Sequence, residues 1–242
     1  MPDLPARQWR DALSSCDLAR IGAFLAERPE LAAAKLEDWC DHPRGVTPLA
    51  YIAMLRFDAE RLGLPQDIEG TGDVARMLLA AGAPVEGDPD DSETPLITAA
   101  SYGDADVARA LIEAGADIEA VAADDAGGVP GGTALLHAGV FGMTDVVDVL
   151  VASGARVHGI VEAAAAGDVT GFLADDTPLD QRVRALTMAA GHDRVAVIEV
   201  LLAAGTPVDA IDAWGSTALQ AAIENGRTAS AAVLVAAGAT PS

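Results

Sequence analysis

The sequence is poor in cysteine and in positive charge, and each shortage excludes a class of protein. Its two cysteines, Cys16 and Cys40, are too few for a disulfide scaffold and have no metal-ligand partner at short spacing, which favours a reducing compartment. Only 15 Lys and Arg residues stand against 37 Asp and Glu, giving a formal net charge of −22. Since nucleic-acid binding depends on Lys and Arg that neutralise phosphates, no nucleic-acid partner is expected.

Recognisable motifs for membranes, metals and catalysis are also missing. No charged-then-apolar leader follows Met1 and no apolar run reaches about 18 residues, so we expect no membrane association and a cytoplasmic protein. No histidine or cysteine pair has i,i+4 or Cys-x-x-Cys spacing, and the acidic clusters at residues 88–91 and 124–125 do not match a calcium loop. There is no Gly-x-Ser-x-Gly nucleophile elbow. We therefore expect no metal and no other cofactor.

The segment at residues 94–120 shows what the chain is built from. Thr94 followed by Pro95 predicts a helix start, because the threonine hydroxyl caps a backbone N–H and proline at the first helical position loses no hydrogen bond. Gly103 should end this helix. A second apolar stripe at helical spacing then runs to Gly115, which can take the left-handed conformation that ends a helix. The unit is a pair of helices, neither of which can bury its stripe alone.

The same unit recurs along the chain. The helix-ending pattern of residues 111–116, LIEAGA, returns as LLAAGA at 78–83, LVASGA at 150–155, LLAAGT at 201–206 and LVAAGA at 234–239. The helix-starting pattern returns as TPLAYIA at Thr47, TALLHAG at Thr133, RALTMAA at Arg184 and TALQAAI at Thr217. A fixed repeat of this kind is typical of stacked repeat proteins.

On these patterns the chain resembles the ankyrin-repeat family, whose unit of a β-turn and two antiparallel helices recurs about every 33 residues. The resemblance implies an all-α solenoid with a concave groove, forming one domain over residues 1–242. A helical cap is expected at 1–45, with helices at 8–14 and 17–26. The expected repeats lie at 46–87, 92–120, 131–157, 158–176, 180–209 and 212–242, of which the fourth is short.

Two segments interrupt the repeats. The interval from Thr47 to Val74 is about twice the matching interval from Thr94 to Val107, which indicates an insertion at 56–72 into which the first helix could extend as far as Arg61. A glycine-rich segment at 120–132 lengthens a turn. Such loops are either functional or neutral insertions. The TPLD at Thr177 is interpreted as a false repeat start, since it would place Arg182 and Val183 where small core residues belong.

The resemblance also implies which residues line the groove, because the ends of the first helices and the tips of the turns face it. The predicted groove residues that carry binding chemistry are Leu55, Tyr102, Phe141, His192, Asn225, the turn-tip residue Trp214, and His42 and Arg44 in the first turn. His137, by contrast, falls on a face that packs against a neighbouring repeat, so a buried structural role is expected for it. An aromatic groove with a few polar groups suits a peptide segment or a hydrophobic small molecule.

Three functions fit this pattern. The first is a protein-interaction module that binds a partner protein or peptide through an aromatic and acidic groove. The second is an atypical enzyme, a cyclase or isomerase acting on a hydrophobic metabolite, with His192, Tyr102 and Glu224 as candidate acid–base residues. The third is an immunity or inhibitor protein whose acidic surface covers a basic partner. The family resemblance favours binding over catalysis.

Overall fold

The computed structural model describes residues 4–36, 45–65 and 68–240, and within them the chain is helical without extended strands. It divides into two compact units, Met1–His137 and Ala138–Ser242. The predicted single-domain organisation remains a prediction.

The first unit contains successive helix pairs. Its helices are α1 Leu4–Ser14, α2 Leu18–Glu27, α3 Pro48–Asp58, α4 Thr71–Ala80, α5 Pro95–Tyr102 and α6 Ala105–Glu113, with a short 3-10 helix at Pro29–Ala32. Helix α3 packs on α5, and α4 packs on α6, so that equivalent helices of neighbouring pairs stack. This arrangement buries the apolar stripes that a single pair leaves exposed. Helix α7, Ala134–Val140, follows and extends into the second unit.

The second unit repeats the arrangement. Its further helices are α8 Thr144–Ala152, α9 Ile160–Ala166, α10 Leu179–Gly191, α11 Val195–Ala203, α12 Ala218–Glu224 and α13 Thr228–Ala236. Helix α10 packs between α9 and α12, and α11 packs on α13. The short repeat consists of α9 alone, which ends at Gly167 and is followed by turns rather than by a second helix.

The predicted capping signals are confirmed. Thr94 accepts a hydrogen bond from the Ile97 backbone N–H with Pro95 at the first helical position, and Gly103 ends α5 with φ +81°. Gly115 takes φ +90° after α6. Isolated β-bridges close the turns before α3, α7 and α12, between Leu36 and Val46, Val121 and Thr133, and Ile211 and Thr217. Local chemistry therefore sets these helix boundaries.

Two predicted boundaries are corrected. Helix α3 ends at Asp58 and does not continue to Arg61, because hydrogen-bonded turns close it there, with Leu62 N bonding to Asp58 O and Leu64 N to Ala59 O. Helix α10 begins at Leu179, directly after Pro178, and not at Arg184. The TPLD sequence thus does start a helix. This helix accommodates the two residues that appeared unsuitable, because Val183 is buried and the Arg182 guanidinium donates to the Ala204 carbonyl at 2.6 Å.

Candidate functional site

The second unit holds a cavity of about 250 Å³ that we call the Trp214 cavity. Helices α7, α10 and α12 and the turn before α12 supply its walls. It is lined by small residues at its floor and by a few larger and polar side chains: Gly139, Val140, Gly142, Thr187, Met188, Gly191, His192, Asp212, Trp214, Ser216, Ala221, Glu224 and Asn225. Four predicted site residues, His192, Trp214, Glu224 and Asn225, are therefore brought together.

Trp214 stands at the rim because a carboxylate shapes its turn. Asp212 is buried, and its Oδ1 accepts hydrogen bonds from the backbone N–H groups of Trp214 at 2.9 Å and Ser216 at 3.1 Å. The indole itself is 57% exposed. The Arg184 guanidinium lies over the ring, 4.6 Å from the centroid, which is a cation–π geometry. The turn therefore holds a large apolar side chain in water next to the cavity.

His192 lies at the end of α10 and is 1% exposed. Its Nε2 is 2.8 Å from the Gly139 carbonyl oxygen, which can only accept, so Nε2 carries the hydrogen. Its Nδ1 is 2.9 Å from Thr144 Oγ1, which in turn accepts from Arg227 Nη2 at 2.9 Å. Thr144 therefore donates its hydroxyl hydrogen to Nδ1. Both ring nitrogens of the neutral imidazole are occupied.

Burial lowers the pKa of His192, and the nearby charges of Arg194 and Arg227 act in the same direction. The ring is thus held neutral by its surroundings. Because each ring nitrogen already has a hydrogen-bond partner within the protein, His192 has no free lone pair that could accept a proton from a substrate. The arrangement favours a structural tie between α10 and the preceding helices over an acid–base role.

Arg227 is the residue that completes this tie. Besides Thr144, it donates to the carbonyl oxygens of Gly191 at 2.9 Å and Gly142 at 3.0 Å. Asn225 lies against the same floor, where a Cβ added to Gly142 would meet its Oδ1 at 2.3 Å. Arg227 therefore joins the backbone of two glycines that line the Trp214 cavity.

The remaining rim of the cavity is exposed and partly acidic. Glu224, the last residue of α12, and Asn225 are exposed, and Asn225 Nδ2 donates to the Ala221 carbonyl at 2.9 Å. Phe141 lies in the turn after α7, between two lining residues, and is 39% exposed. The aromatic and acidic groups expected at this surface are accessible to a partner.

In the first unit, Tyr102 lies at the end of α5 and lines a smaller cavity of about 130 Å³. Its ring contacts Phe57, with centroids 4.9 Å apart, and Phe57 is 63% exposed. Glu93 lines the same cavity, and its burial raises the pKa of its carboxyl group. The acid–base candidate Tyr102 thus belongs to a different cavity from His192 and Glu224.

Three other predicted groove residues have different outcomes. Leu55 is fully buried, because α3 is contacted by α1, α4, α5 and α6, so it belongs to the core and not to an accessible surface. His42 and Arg44 lie outside the described residues. His137 is fully buried, as expected, with Nδ1 2.8 Å from Ser101 Oγ and Nε2 3.0 Å from the Val129 carbonyl oxygen.

Sequence reasoning missed Arg227, Thr144 and Asp212 as parts of the site. Asp212 carried a local signal, since an aspartate that precedes a turn commonly accepts bonds from the backbone two residues on. Arg227 and Thr144 carried none, because their partners lie between 36 and 85 positions away along the chain. Contacts of that range depend on how the helices stack.

The described residues offer neither a metal-binding cluster nor a membrane-spanning helix. They contain no group of three or more His, Cys, Asp or Glu side chains placed to hold a metal ion. Among the same residues, no helix combines the length and the apolar character that a membrane crossing requires.

Stacked helix pairs joined by turns define the protein as a helical-repeat solenoid. Comparison with family models gives the family: the model described as Ankyrin repeats (3 copies) matches residues 68–159, and the model described as Ankyrin repeats (many copies) matches residues 186–235. The two matches cover more than half of the chain, which therefore belongs to the ankyrin-repeat family. Ankyrin repeats generally mediate protein–protein interaction. No curated protein matched the chain.

Proposed function

We propose that this chain is a protein-interaction module that binds a partner protein at the Trp214 cavity and its exposed rim. The observation that carries the proposal is the exposed indole of Trp214, held over a cavity by the Asp212 turn. Tryptophan is enriched among residues that dominate binding energy, and it is costly to leave in water.

The contrast with the rest of the chain supports this proposal. The sequence has only three Trp, two Tyr and four Phe residues. Trp9 is 2% exposed and packs edge-on against Phe24, as a core tryptophan does. Trp214 has the opposite surroundings, beside Glu224 and Asn225 on a rim of polar groups. A central apolar anchor with a polar rim is the usual composition of a protein interface.

The test is site-specific crosslinking in cells that produce the protein. A photo-crosslinking amino acid replaces Ala213, which is exposed beside Trp214, and in a matched control it replaces Ala236, which is exposed on α13 outside the cavity. We expect a discrete adduct with another protein from position 213 that is absent from position 236. Adding Trp214→Ala should remove the adduct, while circular dichroism verifies that the helices are retained.

The opposite results are equally clear. An adduct that forms equally at both positions, or one that persists in Trp214→Ala, would contradict binding at this cavity. The absence of any adduct from position 213 in cells from every growth phase would do so as well.

A further inference from the structure

We propose that the Trp214 cavity takes up a lysine side chain from the partner, with its methylene stem against the apolar lining and its ammonium group beside the carboxylates of Asp212 and Glu224. The inference rests on the proposed function and adds the chemistry of the contact. It depends on three features of the cavity: its shape, its uncompensated negative charge and the hydrogen bonds that its carboxylate oxygens already accept.

The shape suits a long unbranched side chain. Met188, Trp214 and Ala221 contribute apolar side chains to the lining, and Gly139, Gly142 and Gly191 add no side chains of their own. Lysine commonly lays its hydrocarbon stem along apolar surface while its charged end stays near water or a counter-charge. An apolar lining with carboxylates beside it matches that division of the side chain.

The charge of the cavity suits a cation. Asp212 is 8% exposed, and its Oδ2 is buried with no hydrogen-bond partner within the described residues, whereas Oδ1 takes two backbone N–H groups. A buried carboxylate without a counter-charge costs free energy that an approaching cation offsets. Glu224 adds a second, exposed carboxylate. The net charge of −22 extends this attraction to longer range.

The nearby arginines do not occupy this position. Arg227 directs its donors to the carbonyls of Gly142 and Gly191 and to Thr144. Arg184 lies over the Trp214 ring, and its Nε is itself buried without a partner. The Asp212 Oδ2 atom is therefore not the acceptor of either guanidinium.

The hydrogen bonds that the Asp212 carboxylate already accepts favour lysine over arginine as its partner. A guanidinium binds a carboxylate best through two parallel hydrogen bonds to both oxygens. Asp212 cannot offer both, because Oδ1 is already the acceptor for Trp214 and Ser216. An ammonium group acts as a compact point charge and needs no such fork.

The test uses short glycine–alanine peptides, blocked at both ends, with one central lysine, Nε-acetyl-lysine, norleucine or arginine. Binding to the full chain is followed by the NMR shift of the Trp214 indole N–H, which is assigned from its loss in Trp214→Phe. We expect saturable shifts with lysine that exceed those with the other three side chains. Glu224→Gln should weaken lysine binding about three- to fivefold, and salt should weaken it further, while Glu199→Gln, an exposed charge on α11 outside the cavity, should not.

Each other outcome overturns the inference in a distinct way. Equal binding of norleucine and lysine would make the cavity an apolar site, which leaves the proposed function intact. Tighter binding of arginine would overturn the choice of lysine. Equal losses in Glu224→Gln and Glu199→Gln would reduce the effect to overall charge, and no binding at millimolar peptide would remove the site. A missing crosslink at position 213, by contrast, would count against the proposed function itself.

Discussion

His192 and His137 show how a single buried side chain can tie neighbouring repeats. Each ring is buried and uses both nitrogens, His192 between Thr144 and Gly139 and His137 between Ser101 and Val129. Such bonds hold the turns and helix ends to one another where no regular backbone ladder does so. Burial lowers the pKa of both histidines, so both are expected to be neutral in the folded protein.

The first prediction concerns pH. Because the folded-state pKa of His192 is depressed below its ordinary value of 6.5, its contribution to stability is fully present above that value and is lost as the pH falls towards the folded-state pKa. The free energy of unfolding should therefore decrease more in the wild type than in His192→Gln, by roughly 1 kcal/mol, between about pH 7.5 and about pH 5.5. Urea titrations at both pH values measure this difference.

Carboxylate titration contributes to both proteins and cancels in that comparison. His137→Gln should reduce the pH dependence in the same direction, because the cause of its shift is also burial. Equal pH dependence in the wild type and in His192→Gln would show that the histidine does not carry the effect.

The second prediction concerns Gly142, at the floor of the Trp214 cavity. It has φ +72°, and a Cβ there would meet Asn225 Oδ1, whereas Gly154, with φ +91°, has open space around it. Gly154→Ala should cost only the backbone strain, about 1 kcal/mol, and Gly142→Ala should cost about 1 kcal/mol more. In an Asn225→Ala background the two costs should become equal, since the obstructing side chain is gone. Chemical denaturation of the variants tests this, and a persistent difference in that background would refute the contact as the cause.

At the scale of helices, Arg56 joins α3 to the start of α6 in the first unit. It contacts Asp104 at 3.2 Å and Asp106 at 2.8 Å and donates to the Ile68 carbonyl at 2.9 Å. Asp104 is 1% exposed and also caps α6 through the Asp106 and Val107 N–H groups. Burial raises the pKa of Asp104, and the charge of Arg56 opposes that shift. The cap thus depends on a cation from another helix.

The third prediction is a double-mutant cycle on this pair. Arg56→Ala should strongly destabilise the wild type, because it leaves a buried carboxylate without its counter-charge, but it should cost less in an Asp104→Asn background. We expect a coupling free energy of about 1–3 kcal/mol from thermal or urea unfolding. Arg109→Ala removes an exposed pair with Asp106 and should change stability by less than about 0.5 kcal/mol. Additive effects of Arg56→Ala and Asp104→Asn would show that the pair is not coupled.

The helix scale also shows how far the sequence could predict this fold. Threonine caps at Thr47, Thr94 and Thr217 are local signals, and all three accept the expected backbone hydrogen bond. The sequence pattern predicts a helix start at Arg184 and not at Leu179, because Arg182 and Val183 do not fit positions where small core residues are expected. The structure accommodates both, since the long arginine stem lets its guanidinium reach the carbonyl of Ala204.

The candidate site was predictable only in part, for a related reason. Trp214, Glu224 and Asn225 follow from the register of the repeats, and all three line one cavity. The burial of His192 does not follow from that register. Its partners Gly139 and Thr144 lie 53 and 48 positions away, so both bonds depend on how α10 stacks against earlier elements. Local patterns locate residues on a helix, but they do not report which distant groups satisfy them.

At the scale of the whole molecule, two electrostatic effects oppose each other. The excess of acidic over basic residues gives a formal net charge of −22. Repulsion among these like charges destabilises the compact folded state. Local ion pairs such as Arg76 with Glu113 and Lys35 with Asp88 act in the other direction. Ion pairs of this kind at the surface contribute little to stability, because water and salt screen them. Since 37 acidic residues stand against 15 basic ones, repulsion should dominate.

The fourth prediction follows from that balance. Raising NaCl from about 0.02 M to about 0.3 M should increase the melting temperature, because the Debye length falls from beyond 20 Å to below about 6 Å and the repulsion is screened. A variant with asparagine at the exposed Asp124, Asp125, Asp175 and Asp176 should be more stable at low salt and should gain less from added NaCl. Scanning calorimetry of both proteins across the salt series distinguishes the two effects. If added NaCl instead lowers the melting temperature of the wild type, then the ion pairs outweigh the repulsion between acidic residues. The acidic surface would then carry no net penalty in folding stability, and attraction of a basic partner would be its remaining physical role.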